Sequence, residues 1–190
     1  GRAYGIDVRQ FGSGRIGGTN VFRSLGWGAG ALTGVGDVLK GVLAVLMVRW
    51  LVGSELAASL AGAAAVIGHN WPYTLSFRGG AGGATAGAVL CTLSPMVGAI
   101  VIPVAIFVLF VIRYASLATL TAASGALIGL TIRWLVTGDP NGSVYVLYFA
   151  LPTLCAVLIS LRPNLIRLLR GEERRINFKF RPLQADKAGR

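Results

Sequence analysis

Residues 79–112 decide the fold class, because they form one run without a charged side chain: GGAGGATAGAVLCTLSPMVGAIVIPVAIFVLFVI. At about 1.5 Å per residue, the run is too long for one helical crossing of a bilayer and short for two. Ser94-Pro95 is the natural break, since proline disfavours a continuous helix. We therefore predict a short Gly/Ala-rich helix near 82–93, packed inside a helical bundle, and a crossing at 97–112.

Apolar segments of membrane-spanning length recur along the rest of the chain. A span needs about 20 apolar residues. The sequence therefore predicts an all-α, polytopic transmembrane helical bundle with about six spans. The other predicted crossings lie at 31–52, 56–77, 114–132 and 144–161, and the short helix near 82–93 is counted as the sixth span.

Polar segments separate and follow these crossings. Residues 139–142, with the sequence DPNG, are a strong turn signal. Residues 163–175, PNLIRLLRGEERR, predict a short surface helix. We expect residues 1–173 to form the membrane domain and residues 174–190 to form a basic cytoplasmic tail.

The composition excludes most classes of soluble protein. Hydrophobic residues make up 54% of the 190 residues and charged residues 13%, whereas a soluble domain has about 25% charged residues. A disordered chain, a coiled coil and almost any water-soluble globule are thereby ruled out. The net charge of +11 is explained by basic loops held on the cytoplasmic side, so we predict no nucleic-acid partner. Most Lys and Arg residues fall in 1–29, 70–80, 113–115 and 162–190.

Neither a metal site nor a disulfide is expected. The chain has a single histidine, and its two cysteines, Cys91 and Cys155, both lie in apolar runs. Ligand clusters of the kind that hold zinc are therefore missing from the sequence.

The first polar motif is GSGRIGGTNVFR at residues 12–23. Its glycines free the backbone to wrap N–H groups around an anion, and Arg15 and Arg23 supply charge that can grip a phosphate. No Gly-Lys-Ser/Thr follows, so the motif is not a Walker loop. The pattern favours phosphate binding over a flexible glycine linker.

The second polar motif joins two predicted spans and comprises GHNWP at 68–72 and FRGGAGGAT at 77–85. Its glycines open a helix and could form an anion nest at the positive end of the helix dipole. His69 is the single histidine, and a lone histidine is more often structural than catalytic.

Two further motifs carry charge near or within the spans. RPNLIRLLRGEE at 162–173 places Arg167 and Arg170 on one helix face, which is typical of a juxtamembrane basic anchor. GDVLKG at 36–41 lies inside the first span. Asp37 and Lys40 share a helix face there, and they either pair with each other or line a polar cavity.

Together these four motifs resemble the PlsY family, bacterial membrane glycerol-3-phosphate acyltransferases that use acyl phosphate as donor. The resemblance covers residues 5 to about 173. It implies a bacterial plasma-membrane protein with cytoplasmic motif loops. Members normally have seven spans, the first just before the GSG loop, so the resemblance implies that the first span is missing here and that the domain is N-terminally truncated.

The resemblance also implies a reaction. The 1-hydroxyl of sn-glycerol 3-phosphate attacks the carbonyl of a fatty acyl phosphate, giving lysophosphatidate and phosphate, the first step of phospholipid biosynthesis. The protein would mainly position two anions, with no cofactor and no metal ion, and the acyl chain would lie between spans. Catalytic roles are implied for Ser13, Arg23 and Asn164. The candidate substrate-binding residues are Gly14, Arg15, Thr19, Asn20, Lys40, His69, Arg78, Gly79, Gly80, Gly82 and Arg167.

The chain departs from the family pattern at three positions. Ala81 stands where the second loop usually has lysine, Leu161 stands where the third motif usually has histidine, and Arg15 replaces an asparagine. We hypothesise that Arg15 and Arg78 supply the missing charge. The departures leave two alternatives open: a catalytically impaired relative that binds lipid or regulates, and a transporter of an organic phosphate, which would need a site near the bilayer midplane.

Overall fold

The computed structural model describes residues 5–178. This part of the chain is all-α, as predicted, and contains seven helices joined by short loops. Short 3₁₀ turns at Val8–Gln10 and Tyr73–Leu75 interrupt two of the loops. The helices are α1 Gly18–Leu25, α2 Trp27–Val52, α3 Glu55–Asn70, α4 Gly83–Leu93, α5 Pro95–Ile112, α6 Ala115–Thr137 and α7 Gly142–Leu169.

Four of these helices, α2, α5, α6 and α7, are long and apolar enough to cross a membrane. Among the described residues, α3 has 16 residues and α4 has 11. At about 1.5 Å per residue, a helix as short as α4 cannot span the roughly 30 Å hydrocarbon core alone. The prediction of an integral, multi-pass helical protein is confirmed, but the count of six spans is not.

The predicted crossing at 56–77 ends early. Helix α3 stops at Asn70, and Pro72 follows in an extended conformation before the next 3₁₀ turn. Ser76 and Phe77 then adopt positive φ angles of 53° and 60°, which turn the chain back towards the end of α3. The proline and the two left-handed residues are the physical reason for the shorter helix.

The next two predictions also need correction. Helix α6 continues past Arg133, because the Arg133 guanidinium lies 2.6 Å from an Asp139 carboxylate oxygen and 3.2 Å from the Ser94 hydroxyl. Helix α7 runs through Pro163 to Leu169, so residues 163–175 do not form a separate surface helix.

The first residues of the predicted tail pack against the helices. The Ile176 side chain is buried. Its backbone N–H donates to the Arg113 carbonyl at 2.7 Å, and Arg113 Nε donates to the Ile176 carbonyl at 2.8 Å. The remainder of that tail, residues 179–190, lies outside the described residues, as do residues 1–4.

Helix α4 lies at the centre of the bundle, as predicted. All residues from Thr85 to Leu90 are buried. Glycines on neighbouring helices let α4 approach closely: a Cβ atom on Gly41 would lie 2.8 Å from the Thr85 carbonyl, and one on Gly62 would lie 2.5 Å from Val89 Cγ1. Close packing of this kind is typical of membrane helices. The hydrophobic effect does not drive helices together in lipid, so their association depends on the van der Waals contacts that small residues allow.

Candidate active site

A cavity of about 320 Å³ lies at the end of the bundle where α1, α4 and α6 begin. Its volume is at the lower end of the range for small-molecule sites. The lining comes from the loop before α1, from α1 and from the starts of α2, α4 and α6. It is completed by His69 at the end of α3, by the ends of α5 and α7 and by the chain after α7.

The structure brings together eight of the candidate residues and leaves six outside the lining. The residues that line the cavity are Ser13, Arg15, Thr19, Asn20, Arg23, His69, Gly82 and Asn164. Those that do not line it are Gly14, Lys40, Arg78, Gly79, Gly80 and Arg167.

Asn20 holds the glycine loop in shape. Its Oδ1 accepts the Ser13 N–H at 2.8 Å. Its Nδ2 donates to the carbonyls of Val8, Phe11 and Arg15 at 2.9, 3.1 and 2.7 Å. The side-chain amide is buried and engaged at both ends. Asn20 therefore stabilises the loop, and its implied role in binding substrate stays a prediction.

Gly12 shows why this loop needs glycine. Its φ is +59°, and a Cβ atom there would overlap Asn20 Oδ1. The resulting loop leaves the Ser13 and Thr19 side chains at the cavity. Neither hydroxyl makes a hydrogen bond to any residue from 5 to 178.

Arg15 reaches across the cavity wall and connects three parts of the chain. Its Nη1 donates to the Gly80 carbonyl at 3.0 Å and to the Ser160 hydroxyl at 2.7 Å. Its Nη2 donates to Asn164 Oδ1 at 3.0 Å and to the Ser160 carbonyl. All of these partners are neutral, so the positive charge of Arg15 is not cancelled by a direct ion pair.

Arg23 lies on α1 and lines the same cavity. Its Nη2 also donates to a neutral group, the Arg174 carbonyl, at 3.2 Å. Burial lowers the pKa of both Arg15 and Arg23, and the negative charge of Glu173 opposes that shift. Arginine stays protonated in proteins, so both side chains remain cations. Within the described chain, no carboxylate lies within 4.0 Å of either guanidinium.

Two amides of the second glycine loop are engaged by the end of α3. Gly79 N–H donates to the Asn70 carbonyl at 3.1 Å, and Gly80 N–H donates to the His69 carbonyl at 3.0 Å. The loop presents residues 81–84 to the cavity, with Gly82 at the N-cap of α4 and a φ of +80°. The first N–H groups of a helix lack partners within it. The anion nest of this loop therefore stays a prediction, with its available amides at the start of α4.

Glu173 is a cavity residue that sequence reasoning missed. One carboxylate oxygen accepts from Asn164 Nδ2 at 2.8 Å and from the Ser116 hydroxyl at 3.4 Å, and the other accepts from Arg167 Nε at 3.0 Å. The Glu173 side chain is only 8% exposed. Arg167 is thus paired with Glu173, and its implied role in binding substrate stays a prediction.

Asp37, Lys40 and His69 form a polar cluster beside the cavity. Lys40 Nζ lies 2.5 Å from Asp37 Oδ1 and 2.5 Å from His69 Nδ1. Asp37 and His69 line the cavity, whereas Lys40 does not. Both interpretations of the Asp37–Lys40 pair therefore hold in part. His69 Nδ1 also lies 3.3 Å from Asp37 Oδ1, so the three side chains contact one another.

Arg78 does not contribute to the cavity. Its side chain is exposed on the surface, and the cavity lining does not include it. Gly14 is exposed as well. Of the two arginines in the charge-replacement hypothesis, only Arg15 lines the cavity, and the hypothesis itself stays a prediction.

Aromatic rings form part of the cavity lining. The Phe22 and Trp27 ring centroids lie 4.4 Å apart, and the Phe178 ring stacks on Phe110 at 5.0 Å and on Trp27 at 6.0 Å. The cavity is thus lined by aromatic rings as well as by cations and helix N-termini.

The fold defines an integral membrane, multi-pass protein with a cavity lined by two arginine side chains at one end of its helices. The sequence model of the family described as glycerol-3-phosphate acyltransferase matches residues 1–171. The chain therefore belongs to the glycerol-3-phosphate acyltransferase family of integral membrane enzymes, as the four motifs predicted.

Curated relatives with this description come from several bacteria. The chain is 44% identical over 176 residues to the glycerol-3-phosphate acyltransferase of Rubrobacter xylanophilus, covering 92% of this chain and 84% of the relative. It is 41% identical over 181 residues to glycerol-3-phosphate acyltransferase 1 of Deinococcus radiodurans, covering 94% and 86%.

The fold is shared with crystal structures of PlsY, described as an integral membrane glycerol 3-phosphate acyltransferase. The glycerol 3-phosphate form matches with a TM-score of 0.79 at 31% identity, covering 100% of this chain and 88% of that one. The lysophosphatidic acid form matches with a TM-score of 0.73 at 33% identity, covering 87% and 82%.

Proposed function

We propose that this protein transfers the acyl group of a fatty acyl phosphate to the 1-hydroxyl of sn-glycerol 3-phosphate. The hydroxyl oxygen forms a bond to the acyl carbon, the bond from that carbon to the phosphate oxygen breaks, and lysophosphatidate and phosphate are released. An acyl phosphate is a mixed anhydride with a good leaving group. The protein therefore has to hold two phosphate-bearing molecules together and offset their repulsion.

One observation supports this proposal most directly: two cations without ion-pair partners among the described residues meet two helix N-termini in one cavity. Arg15 and Arg23 supply the charge. Two helices begin at this cavity and bring amides without partners to it. They are α1, at Gly17 and Gly18, and α4, at Gly82 and Gly83. A helix N-terminus behaves as a partial positive charge, so each could take one phosphate group.

The position of Arg15 supports its role as the replacement cation. Ala81 and Leu161, two of the three departures from the family pattern, both line the cavity. Arg15 bonds to Gly80 and Ser160, the residues directly before them. Its guanidinium therefore lies between the two positions that lack a polar side chain.

Ser13, Arg23 and Asn164 remain the proposed catalytic residues. The Ser13 hydroxyl and the Arg23 guanidinium are available at the cavity. Asn164 is held between Arg15 and Glu173, so its amide is fixed in place. We further propose that the cavity end of the bundle faces the cytoplasm of a bacterial plasma membrane, because most Lys and Arg residues lie at that end.

The test measures phosphate release and lysophosphatidate formation from palmitoyl phosphate and glycerol 3-phosphate by the full chain in lipid. Turnover that needs both substrates and falls at least about tenfold in Ser13→Ala and Arg23→Ala supports the proposal. The Rubrobacter xylanophilus relative, assayed in parallel, is the positive control. Absence of turnover beside an active control would overturn it and favour an impaired relative that only binds lipid.

A further inference from the structure

Helix α7 is longer than the apolar core of a bilayer is thick. Its 28 residues extend over about 42 Å at about 1.5 Å per residue, whereas the hydrocarbon core measures about 30 Å. Residues 142–161 carry no charged side chain, and their length alone is enough to cross the core. The rest of the helix, from Arg162 to Leu169, therefore extends into the headgroup layer at the cavity end.

One face of these last turns is directed towards the protein. Asn164 is buried and lines the cavity, and its amide donates to one Glu173 carboxylate oxygen at 2.8 Å. Arg167 Nε donates to the other Glu173 oxygen at 3.0 Å. The polar groups of this inner face thus find their partners within the protein.

The opposite face of the same turns is exposed. Arg162, Ile166 and Leu169 lie at positions i, i+4 and i+7 and therefore share one side of the helix. Leu169 is 89% exposed and Ile166 41%, and Arg162 is exposed as well. Arg170 follows directly and is also exposed. We call these four residues the outer face of α7.

The two arginines of the outer face have no partner among residues 5–178. Neither guanidinium makes a hydrogen bond to this part of the chain, and no carboxylate of these residues lies within 4.0 Å of either group. The Cα–Cβ bonds of a helix tilt towards its N-terminus, so Arg170 starts back towards Arg162 and the membrane. The outer face therefore combines two available cations with two apolar side chains at the depth of lipid headgroups.

We propose that the outer face of α7 binds one anionic phospholipid of the leaflet at the cavity end. Arg162 and Arg170 donate to its phosphodiester oxygens, since guanidinium groups bind phosphate through forked pairs of N–H groups. Ile166 and Leu169 contact the glycerol backbone and the first methylene groups. A phosphatidylcholine fits less well, because its choline ammonium meets a second cation. The inference does not depend on the proposed acyl transfer, because the cavity lies on the other side of the helix.

The test measures lipid binding by native mass spectrometry of the full chain released from detergent. Dioleoylphosphatidylglycerol or dioleoylphosphatidylcholine is titrated in, and the affinity of the first retained molecule is determined. We expect Arg162→Gln and Arg170→Gln each to weaken binding of the phosphatidylglycerol about fivefold, which is the effect of one arginine near anionic lipid. Binding of the phosphatidylcholine should change less than about twofold, because its headgroup has no net charge.

Three further variants make the result specific to the outer face. Arg175→Gln is the matched control, because Arg175 is also exposed but contacts the Tyr114 hydroxyl, at 3.2 Å. It should leave the affinity within about twofold of wild type. Arg162→Lys keeps the charge and should retain most of the affinity, which separates loss of charge from damage to the fold. Arg23→Gln removes a cation of the cavity. Equal losses in Arg175→Gln and in the outer-face variants would reveal a general effect of charge, and a loss in Arg23→Gln alone would place the lipid in the cavity. Either result would overturn the proposal.

Discussion

At the scale of single residues, Arg15 places a positive charge at the cavity from the loop before α1. Four hydrogen bonds to neutral groups orient its guanidinium. We expect Arg15→Ala to lower kcat/KM roughly 10- to 100-fold, since a hydrogen bond to a charged group is worth about 1.5–3 kcal/mol. The measurement is the steady-state rate of lysophosphatidate formation. Arg78→Ala is the matched control, because Arg78 is exposed and outside the cavity. Equal losses in both variants would contradict the assignment of charge to Arg15.

The effects of Asp37 and Lys40 on the free energy of unfolding should be coupled. The two groups lie 2.5 Å apart within the membrane-spanning helix α2. Removing one partner of such a pair leaves an uncompensated charge at a cost of about 3 kcal/mol, whereas replacing both is often neutral. We expect Asp37→Asn to lower the free energy of unfolding by about that amount, and Lys40→Met added to it to restore much of the loss. Unfolding in mixed micelles measures both. Additive effects in the double variant would show that the pair does not stabilise the fold.

At the scale of helices, the packing of α4 against α2 determines where the anion site lies. A Cβ atom on Gly41 would lie 2.8 Å from the Thr85 carbonyl, a backbone atom that cannot move alone. We expect Gly41→Ala to destabilise the protein by about 1–3 kcal/mol and to reduce activity, since α4 would move together with its N-terminus. Gly36→Ala on the same helix is the control, because a Cβ atom on Gly36 would have no neighbour within 4 Å among the described residues. Thermal unfolding and turnover are measured on both variants. A Gly41→Ala protein as stable and active as the control would show that this close approach is not required.

The sequence predicts those features that depend on local pattern. The buried helix near 82–93 and its break at Ser94-Pro95 follow from glycine content and from proline, and both are present. Which amides of the second loop are free could not be predicted, because Gly79 and Gly80 bond to carbonyls on α3. Glu173 enters the cavity only because the chain reverses at Gly171, whose φ is +73°. Contacts of this kind depend on the packing of whole helices and leave no periodic signal in the sequence.

At the scale of the whole molecule, the positions of the charges predict an orientation in the membrane. The loops that carry most Lys and Arg residues meet at the cavity end, and basic loops are retained in the cytoplasm.

Thr74 lies in the loop after α3 at this end, and Pro140 lies in the α6–α7 turn; both are exposed. We expect a cysteine placed by Pro140→Cys to react with a membrane-impermeant maleimide in intact spheroplasts. A cysteine placed by Thr74→Cys should react only after the membrane is permeabilised. The native Cys91 and Cys155 are first replaced by alanine, since both are free and exposed at the surface of the bundle. The opposite labelling pattern would place the anion cavity outside the cytoplasm, away from any cytoplasmic supply of glycerol 3-phosphate, and would contradict both the orientation and the proposed access of that substrate.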